Sequence, residues 1–368
     1  MKIKAAVLRE YKKPVTIEQV ELAPPKEKEV LVKTAFTGYC HSDYTFIVGN
    51  FKFPIPLVLG HEASGVVADV GPGVTSVKKG DHVVAAWMCP CGECPECVSG
   101  NGHICRRGHE THGTGGLMDR TSRLTDSKGN RLNHQTFVSG FAEYMVIPEV
   151  GTIKIRDDMP LDQACFLGCC VPTGFGAVYN AAGVKPGDSV AIWGIGGVGL
   201  NVVWGAKLRN AYPIIAVDLE GSKESIARQF GATHFINNSK EDPVPIIQKL
   251  TNGGANYCFE AIGDPGAVTQ AWWSLGLAGT VIQIGITPEE AMTQLPLAYT
   301  PVHCKGIRGT LYGNVRTHID IPAFADMAMK GSFDLAKLIT KKFKVEEINK
   351  VTEAMEKRQI IGRWVCEW

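Results

Sequence analysis

Four cysteines, Cys91, Cys94, Cys97 and Cys105, fall within fifteen residues in the pattern C-x2-C-x2-C-x7-C. Four thiolates on one short stretch can close a tetrahedron around a zinc ion, and a closed set leaves no corner for a reactant, so its role is structural. Arg106 and Arg107 follow directly and are placed to offset the excess negative charge. Left without metal, such a cluster of surface thiols would oxidise readily. A second set is scattered: Cys40 and His61 near the N-terminus, Cys169 far beyond them. Taken singly, each is more often a packed residue than a ligand. Together they supply two thiolates and one imidazole, which leaves zinc's fourth position open to water or substrate. The third pattern is Gly194-Ile195-Gly196-Gly197-Val198-Gly199, a G-x-G-x-x-G. The apolar run Ser189–Trp193 leads into it, a helical pattern leaves it, and a further run from Pro213 to Val217 ends on Asp218, 24 residues after Gly194. Glycines there let backbone N–H groups approach a pyrophosphate at a helix N-terminus, and the acid can accept from ribose hydroxyls. A lone G-x-G-x-x-G is often only a turn; strand, turn, helix, strand and acid in that order make a dinucleotide site.

These residues need elements to hold them. Up to about residue 60, short β-type runs (Ala5–Leu8, Val30–Thr34) alternate with proline-marked turns, and further runs lie at 65–70 and from Gly80 to Val84. The expectation is an all-β region without helical periodicity. Residues 89–137 look like loop, a length that needs a stabiliser, and the cysteines suggest a metal clip. A strand returns at Phe141–Ile147. From about 172 to 310 strand candidates (190–193, 213–218, 234–236, 256–262, 279–286) alternate with helix candidates (198–209, 222–230, 243–251, 265–276). Repeated β-α-β predicts a parallel, doubly wound sheet with helices on both faces. The tail from 312 holds two helical patterns and a β-like run through Arg363-Trp364-Val365, and is expected to rejoin the first domain.

The chain has 368 residues, which suits two domains, and 45% apolar content suffices for a core in each. A net charge of +1 gives no global field for nucleic acid or membrane. No apolar run reaches spanning length and the N-terminus lacks a signal-peptide core, so a cytoplasmic location is expected. Twelve cysteines in that reducing setting favour metal binding over disulfides.

The ordered motifs GYCHSD, GHE, CGECPECVSGNGHIC, GCCVPTGFG and GIGGVG, closed by Asp218, resemble those of the zinc-dependent medium-chain alcohol dehydrogenases over essentially the whole chain. The stretch 116–124 is similar to the long loop of the dimeric branch, which includes the glutathione-dependent formaldehyde dehydrogenases. The resemblance implies a Rossmann domain at 171–311 and a GroES-like, mostly-β catalytic domain at 1–170 and 312–368 carrying both zinc sites. It implies two zinc ions per chain, NAD and a homodimer. Cys40, His61 and Cys169 match the catalytic-zinc ligands and Cys91, Cys94, Cys97 and Cys105 the structural set; Cys170 replaces the family's usual small residue. Ser42 matches the hydroxyl that takes the substrate proton. Asp43 and Glu62 fit places behind the ligands, where a carboxylate orients an imidazole or sits close to the ion. Asp218 and Lys223 match the pair on the adenosine ribose, His41 and Arg363 fall where side chains face the pyrophosphate, and Trp87 falls on an aromatic wall of the substrate pocket.

The implied reaction is hydride transfer from an alcohol to NAD, with zinc acidifying the hydroxyl. Asp218 would repel a 2′-phosphate, which favours NAD over NADP. Thr45 stands where some relatives carry a relay histidine, so the outer end of the proton path falls to His41 or solvent. The 48–54 loop is apolar and carries no acid, and His109 stands near the place of an arginine that the glutathione-dependent branch uses. Trp87, Phe51 and Phe53 therefore point to an apolar, aromatic or allylic primary alcohol. S-hydroxymethylglutathione is the alternative substrate, and a non-catalytic zinc- and nucleotide-binding protein the alternative of another class.

Overall fold

The structure, a computed structural model, describes residues 1–368. In chain order its strands are β1 (Lys2–Leu8), β2 (Thr16–Leu22), β3 (Glu29–Gly38), β4 (Leu57–Val58), β5 (Ala63–Val70), β6 (His82–Ala85), β7 (Leu124–Thr125), β8 (Arg131–His134), β9 (Tyr144–Pro148), β10 (Thr152–Lys154), β11 (Val190–Trp193), β12 (Ile214–Asp218), β13 (His234–Asn237), β14 (Ala255–Glu260), β15 (Leu275–Gln283), β16 (Gly306–Gly309), β17 (Ile339–Phe343) and β18 (Arg363–Glu367). They fall into two compact units, Met1–Cys169 with Arg316–Trp368, and Cys170–Val315.

In the first unit β1, β2, β7, β8 and β4 close a barrel, beside a sheet of order β10-β6-β5-β3-β18-β17 in which β9 also pairs with β3. The tail does rejoin this unit. β18 runs antiparallel to β3 with Val365 opposite Gly38, a register that carries Arg363 to the start of Cys40's segment.

Two expectations for this unit need correction. The region before residue 60 is not all β, because a helix spans His41–Val48. Asp43 starts it by accepting from the Cys40 N–H at 2.8 Å, and Gly49, at φ 74°, ends it in the left-handed conformation that glycine adopts at least cost. Nor is 89–137 mere loop. It holds helices at Pro95–Val98 and Arg106–His112 as well as β7 and β8. Its far end is anchored by buried Arg123, whose Nε donates to Glu29 Oε2 at 2.8 Å and whose Nη2 donates to Glu29 Oε1 at 2.5 Å and Asp119 Oδ2 at 2.8 Å.

The second unit is the expected parallel sheet, ordered β13-β12-β11-β14-β15-β16 with every neighbouring pair parallel. Helices Gly197–Leu208, Glu224–Phe230, Pro243–Leu250 and Pro265–Trp273 connect its strands. The last stops earlier than expected, since β15 already begins at Leu275 and Gly276 lies backbone to backbone with Gly254. Strand order reverses between β11 and β14, which opens a crevice at the carboxyl ends where this sheet type binds ligands. No single helix in the chain is long and apolar enough to cross a membrane.

Candidate active site

Three turns in the first unit converge. Cys40 caps the helix His41–Val48, just after β3; His61 stands between β4 and β5; Cys169 follows a tight turn at Cys165–Gly168. Gly60, at φ 101°, brings the chain so close to Phe141 that an added Cβ would strike its backbone. Cys40, His61 and Cys169 are 5%, 4% and 8% exposed, and their ligand atoms all lie within 4.8 Å of one another. Asp43 organises two of them. Its Oδ2 takes the Cys40 N–H, while Oδ1 lies 3.0 Å from His61 Nδ1. That fixes Nδ1 as the protonated nitrogen and leaves the Nε2 lone pair for an ion. Gln135 completes the arrangement: its Nε2 donates to Asp43 Oδ1 at 2.8 Å and its Oε1 accepts from Gly60 N at 2.5 Å. Sequence reasoning missed Gln135; an uncharged amide carries no signal until its neighbours are known. Glu62 is fully buried, with Oε2 3.6 Å from Arg363 Nε. Arg363, expected against the pyrophosphate, is itself buried and donates to Tyr39 O at 3.2 Å and to Cys40 Sγ at 3.4 Å.

The chemistry of this set fits a divalent ion. The hydrogen bond with Cys169 brings the Cys40 thiol well below its ordinary pKa, and the same contact drives Cys169 well above its own. One proton is thus shared by two buried sulfurs. Burial opposes a charge on His61, but the Asp43 carboxylate and the hydrogen bond to it raise its pKa well above the ordinary value. Both effects express a place that calls for positive charge, which a dication supplies while binding both thiolates and a neutral imidazole.

Ser42 Oγ lies 3.8 Å from Cys40 Sγ. Thr45 Oγ1 donates to His41 O at 2.9 Å and lies 3.5 Å from His41 Nδ1. Phe46, four residues after Ser42, shares its face of the helix. From Phe46 a run of edge-on rings extends: Phe51 at 5.5 Å, Phe53 at 5.3 Å, then His112 at 5.5 Å from Phe53 and 6.1 Å from Trp87. Phe51 is exposed and Phe53 buried.

Cys91, Cys94, Cys97 and Cys105 also gather within 4.8 Å. Zinc–sulfur bonds of about 2.3 Å give tetrahedron edges of about 3.8 Å. The Cys91–Cys97 and Cys94–Cys105 sulfurs stand 4.0 and 3.8 Å apart. Backbone N–H groups of Cys91 and Gly108 point at Cys105 Sγ, both at 3.3 Å. These help to offset thiolate charge. Arg106 turns instead to Glu96, at 2.7 Å.

In the second unit Gly194, at φ 88°, follows β11, and the helix starts at Gly197. A Cβ on Gly199 would collide with Gly194 O, so only glycine lets helix and strand approach there, whereas Gly196 faces open space. Val198 is in the helix's first turn. Asp218 ends β12; its Oδ2 accepts from Ile195 N at 2.7 Å and from Lys223 Nζ at 2.9 Å. The structure thus joins acid, lysine and glycine turn.

A buried Cys2His set, a four-cysteine clip and a doubly wound nucleotide fold together define a zinc- and nicotinamide-dependent oxidoreductase. The comparisons agree. Residues 26–157 match the alcohol dehydrogenase GroES-like domain, and residues 197–330 match the zinc-binding dehydrogenase domain. An S-(hydroxymethyl)glutathione dehydrogenase from Photobacterium damsela subsp. piscicida is 39% identical, covering 96% of this chain and 97% of its own. A class-3 alcohol dehydrogenase of Cereibacter sphaeroides is 38% identical over 96% and 97%. Among solved structures, benzyl alcohol dehydrogenase from Acinetobacter calcoaceticus superimposes with a TM-score of 0.92 at 32% identity, covering 100% of this chain and 99% of that one. The chain belongs to the zinc-dependent medium-chain alcohol dehydrogenase family.

Proposed function

We propose that this enzyme interconverts apolar primary alcohols, aromatic or allylic, with their aldehydes, using NAD. The observation that carries the reading is the run of rings from Phe46, with Phe51 against it, through Phe53 and His112 to Trp87, which starts on the face of the helix that bears Ser42. Cys40, His61 and Cys169 would hold a zinc ion, which would supply the Lewis acidity for an alcohol to ionise near neutral pH, and NAD held at the glycine turn would supply the hydride acceptor. Asp43 and Gln135 keep the His61 ring in place. Ser42 Oγ takes the alcohol proton; its own pKa is far too high for a free base, so it passes the proton on. With Thr45 in the outer position, the exit is His41, whose Nδ1 is 3.5 Å from Thr45 Oγ1, or solvent. Asp218 and Lys223 bind the adenosine ribose, and the carboxylate repels a 2′-phosphate, so NAD is preferred to NADP. His41 serves the pyrophosphate, Arg363 braces the Cys40 segment through Tyr39 O and Cys40 Sγ, and Cys91, Cys94, Cys97 and Cys105 hold the second, structural zinc. The first unit is the catalytic domain and the second the nucleotide domain, and two chains form a homodimer.

The glutathione adduct is the second reading, favoured by the names of relatives at 38–39% identity. Against it stand the acid-free 48–54 loop and His109 near the place of the expected arginine. Initial rates with benzyl alcohol, cinnamyl alcohol and S-hydroxymethylglutathione, each with NAD and NADP, decide the matter. A higher kcat/KM for the adduct replaces the first reading with the second, and equal use of both dinucleotides removes the role given to Asp218.

A further inference from the structure

His112 ends the helix Arg106–His112, and no motif points to it. Its ring stands where three apolar clusters meet. Phe53 belongs to one, Phe137 to another, and Trp87 packs on the third. The imidazole meets them edge-on, at 5.5, 5.9 and 6.1 Å and interplanar angles of 84°, 71° and 63°. Its Nε2 is enclosed and has no hydrogen-bond partner. Burial, aided by the charge of His109, brings its pKa down to about 4. The ring is therefore neutral near pH 7 and keeps one N–H and one lone pair. A leucine would fill such a junction with no polar atom left unmet, and a buried polar group without a partner is costly. The ring is also two ring contacts from Phe46, which shares a helix face with Ser42, so the unmet nitrogen adjoins the rings nearest that hydroxyl.

We propose that His112 is the specificity-determining residue of the alcohol pocket, its Nε2 pairing with a polar ring substituent (hydroxyl, methoxyl or carbonyl) of an aromatic primary alcohol. This rests on the aromatic-alcohol reading above and narrows it. Apolar rings accept the body of the substrate, and the imidazole selects among bodies of similar size by the hydrogen bond they offer. A hydroxyl can donate or accept, a methoxyl only accept, so the two report which form Nε2 takes.

The test uses the zinc-loaded full chain with NAD and a panel of benzyl, 4-methylbenzyl, 3- and 4-hydroxybenzyl and 3- and 4-methoxybenzyl alcohols. In the wild type the best polar substrate should exceed both benzyl and 4-methylbenzyl alcohol in kcat/KM by about ten-fold, the worth of one buried hydrogen bond. His112→Leu should erase that ratio while benzyl alcohol is still turned over, and His112→Gln, which retains a polar nitrogen, should keep part of it. A wild-type ratio near one, or a ratio unchanged in His112→Leu, overturns the proposal while the aromatic reading stands. Absence of turnover with every benzyl alcohol overturns both.

Discussion

Asp43 uses both oxygens to join parts of the metal site that lie far apart in sequence. One oxygen holds the Cys40 backbone, and the other holds His61 together with Gln135. Asp43→Asn keeps the shape but replaces an acceptor with a donor facing the imidazole, so the tautomer that ligates zinc is disfavoured. Zinc affinity should fall about 10–100-fold, as read by metal content after competition with a chelator. Ser42 is placed differently, since it touches a ligand sulfur without bracing it. Ser42→Ala should therefore bind zinc normally yet lose about 10²–10⁴-fold in kcat if the hydroxyl carries the proton. A normal rate across the pH–rate profile would move that role elsewhere. The ligands themselves were legible in the sequence because zinc admits few residue types and their spacing is restrictive. Gln135 and His112 were not, because a buried polar side chain acquires meaning only from neighbours contributed by other segments.

Each element carries a cost that its ties must offset. The clip is one such tie: between Cys91 and Cys105 lie only the short helix Pro95–Val98 and a single tight turn, too little to bury a core. Cys97→Ser should halve the zinc content, from two per chain towards one, and lower the melting temperature while residual activity follows the folded fraction; an unchanged melting temperature would count against a structural ion. The strands β7 and β8 show a second kind of tie. His134, at the end of β8, accepts from Arg123 N at 3.2 Å and lies 3.2 Å from Ser139 Oγ. Burial, with Arg123 and Arg131 nearby, holds its pKa down at about 3. An unfolded histidine titrates near about 6.5, so between that value and the folded one the unfolded chain binds the extra proton. Stability should therefore fall as pH drops through this window, by at most about 1.4 kcal/mol per pH unit for this one group. Urea unfolding from pH 7 to 4.5 should show a shallower slope for His134→Asn than for the wild type. The parallel sheet could be foreseen element by element because short apolar runs alternate along it with longer helical patterns. The helix His41–Val48 could not: only Phe46 and Ile47 are buried apolar residues in it, too few for a periodic stripe, and its start depends on a cap made by the same Asp43 that serves the metal site.

At the scale of the molecule, the six-stranded sheet is left with β16 at one edge. An edge strand exposes unpaired backbone groups, and soluble proteins normally protect it with charge, proline or a covering element. Here Arg308 is the one charge on β16, and apolar residues are exposed beside it. Leu277, Met292, Leu297 and Val302 are each 74% or more exposed, and Ile307 on β16 itself is 40% exposed. A Cβ on Gly306 or Gly309 would meet nothing within 4 Å, so another backbone can approach without obstruction. Exposed apolar residues on an edge strand and in the segments that lead to it suit an interface better than a solvated face. The partner that satisfies such an edge with no further invention is a second copy, since a strand can pair antiparallel with itself about a two-fold axis and bury the same side chains from both sides. Ile307→Lys places a charge on each of the two paired strands, close to its own symmetry mate. Light scattering at micromolar concentration should give twice the chain mass for the wild type and the single mass for the variant. A monomeric wild type, or a variant that stays dimeric, would mean that β16 is not the contact.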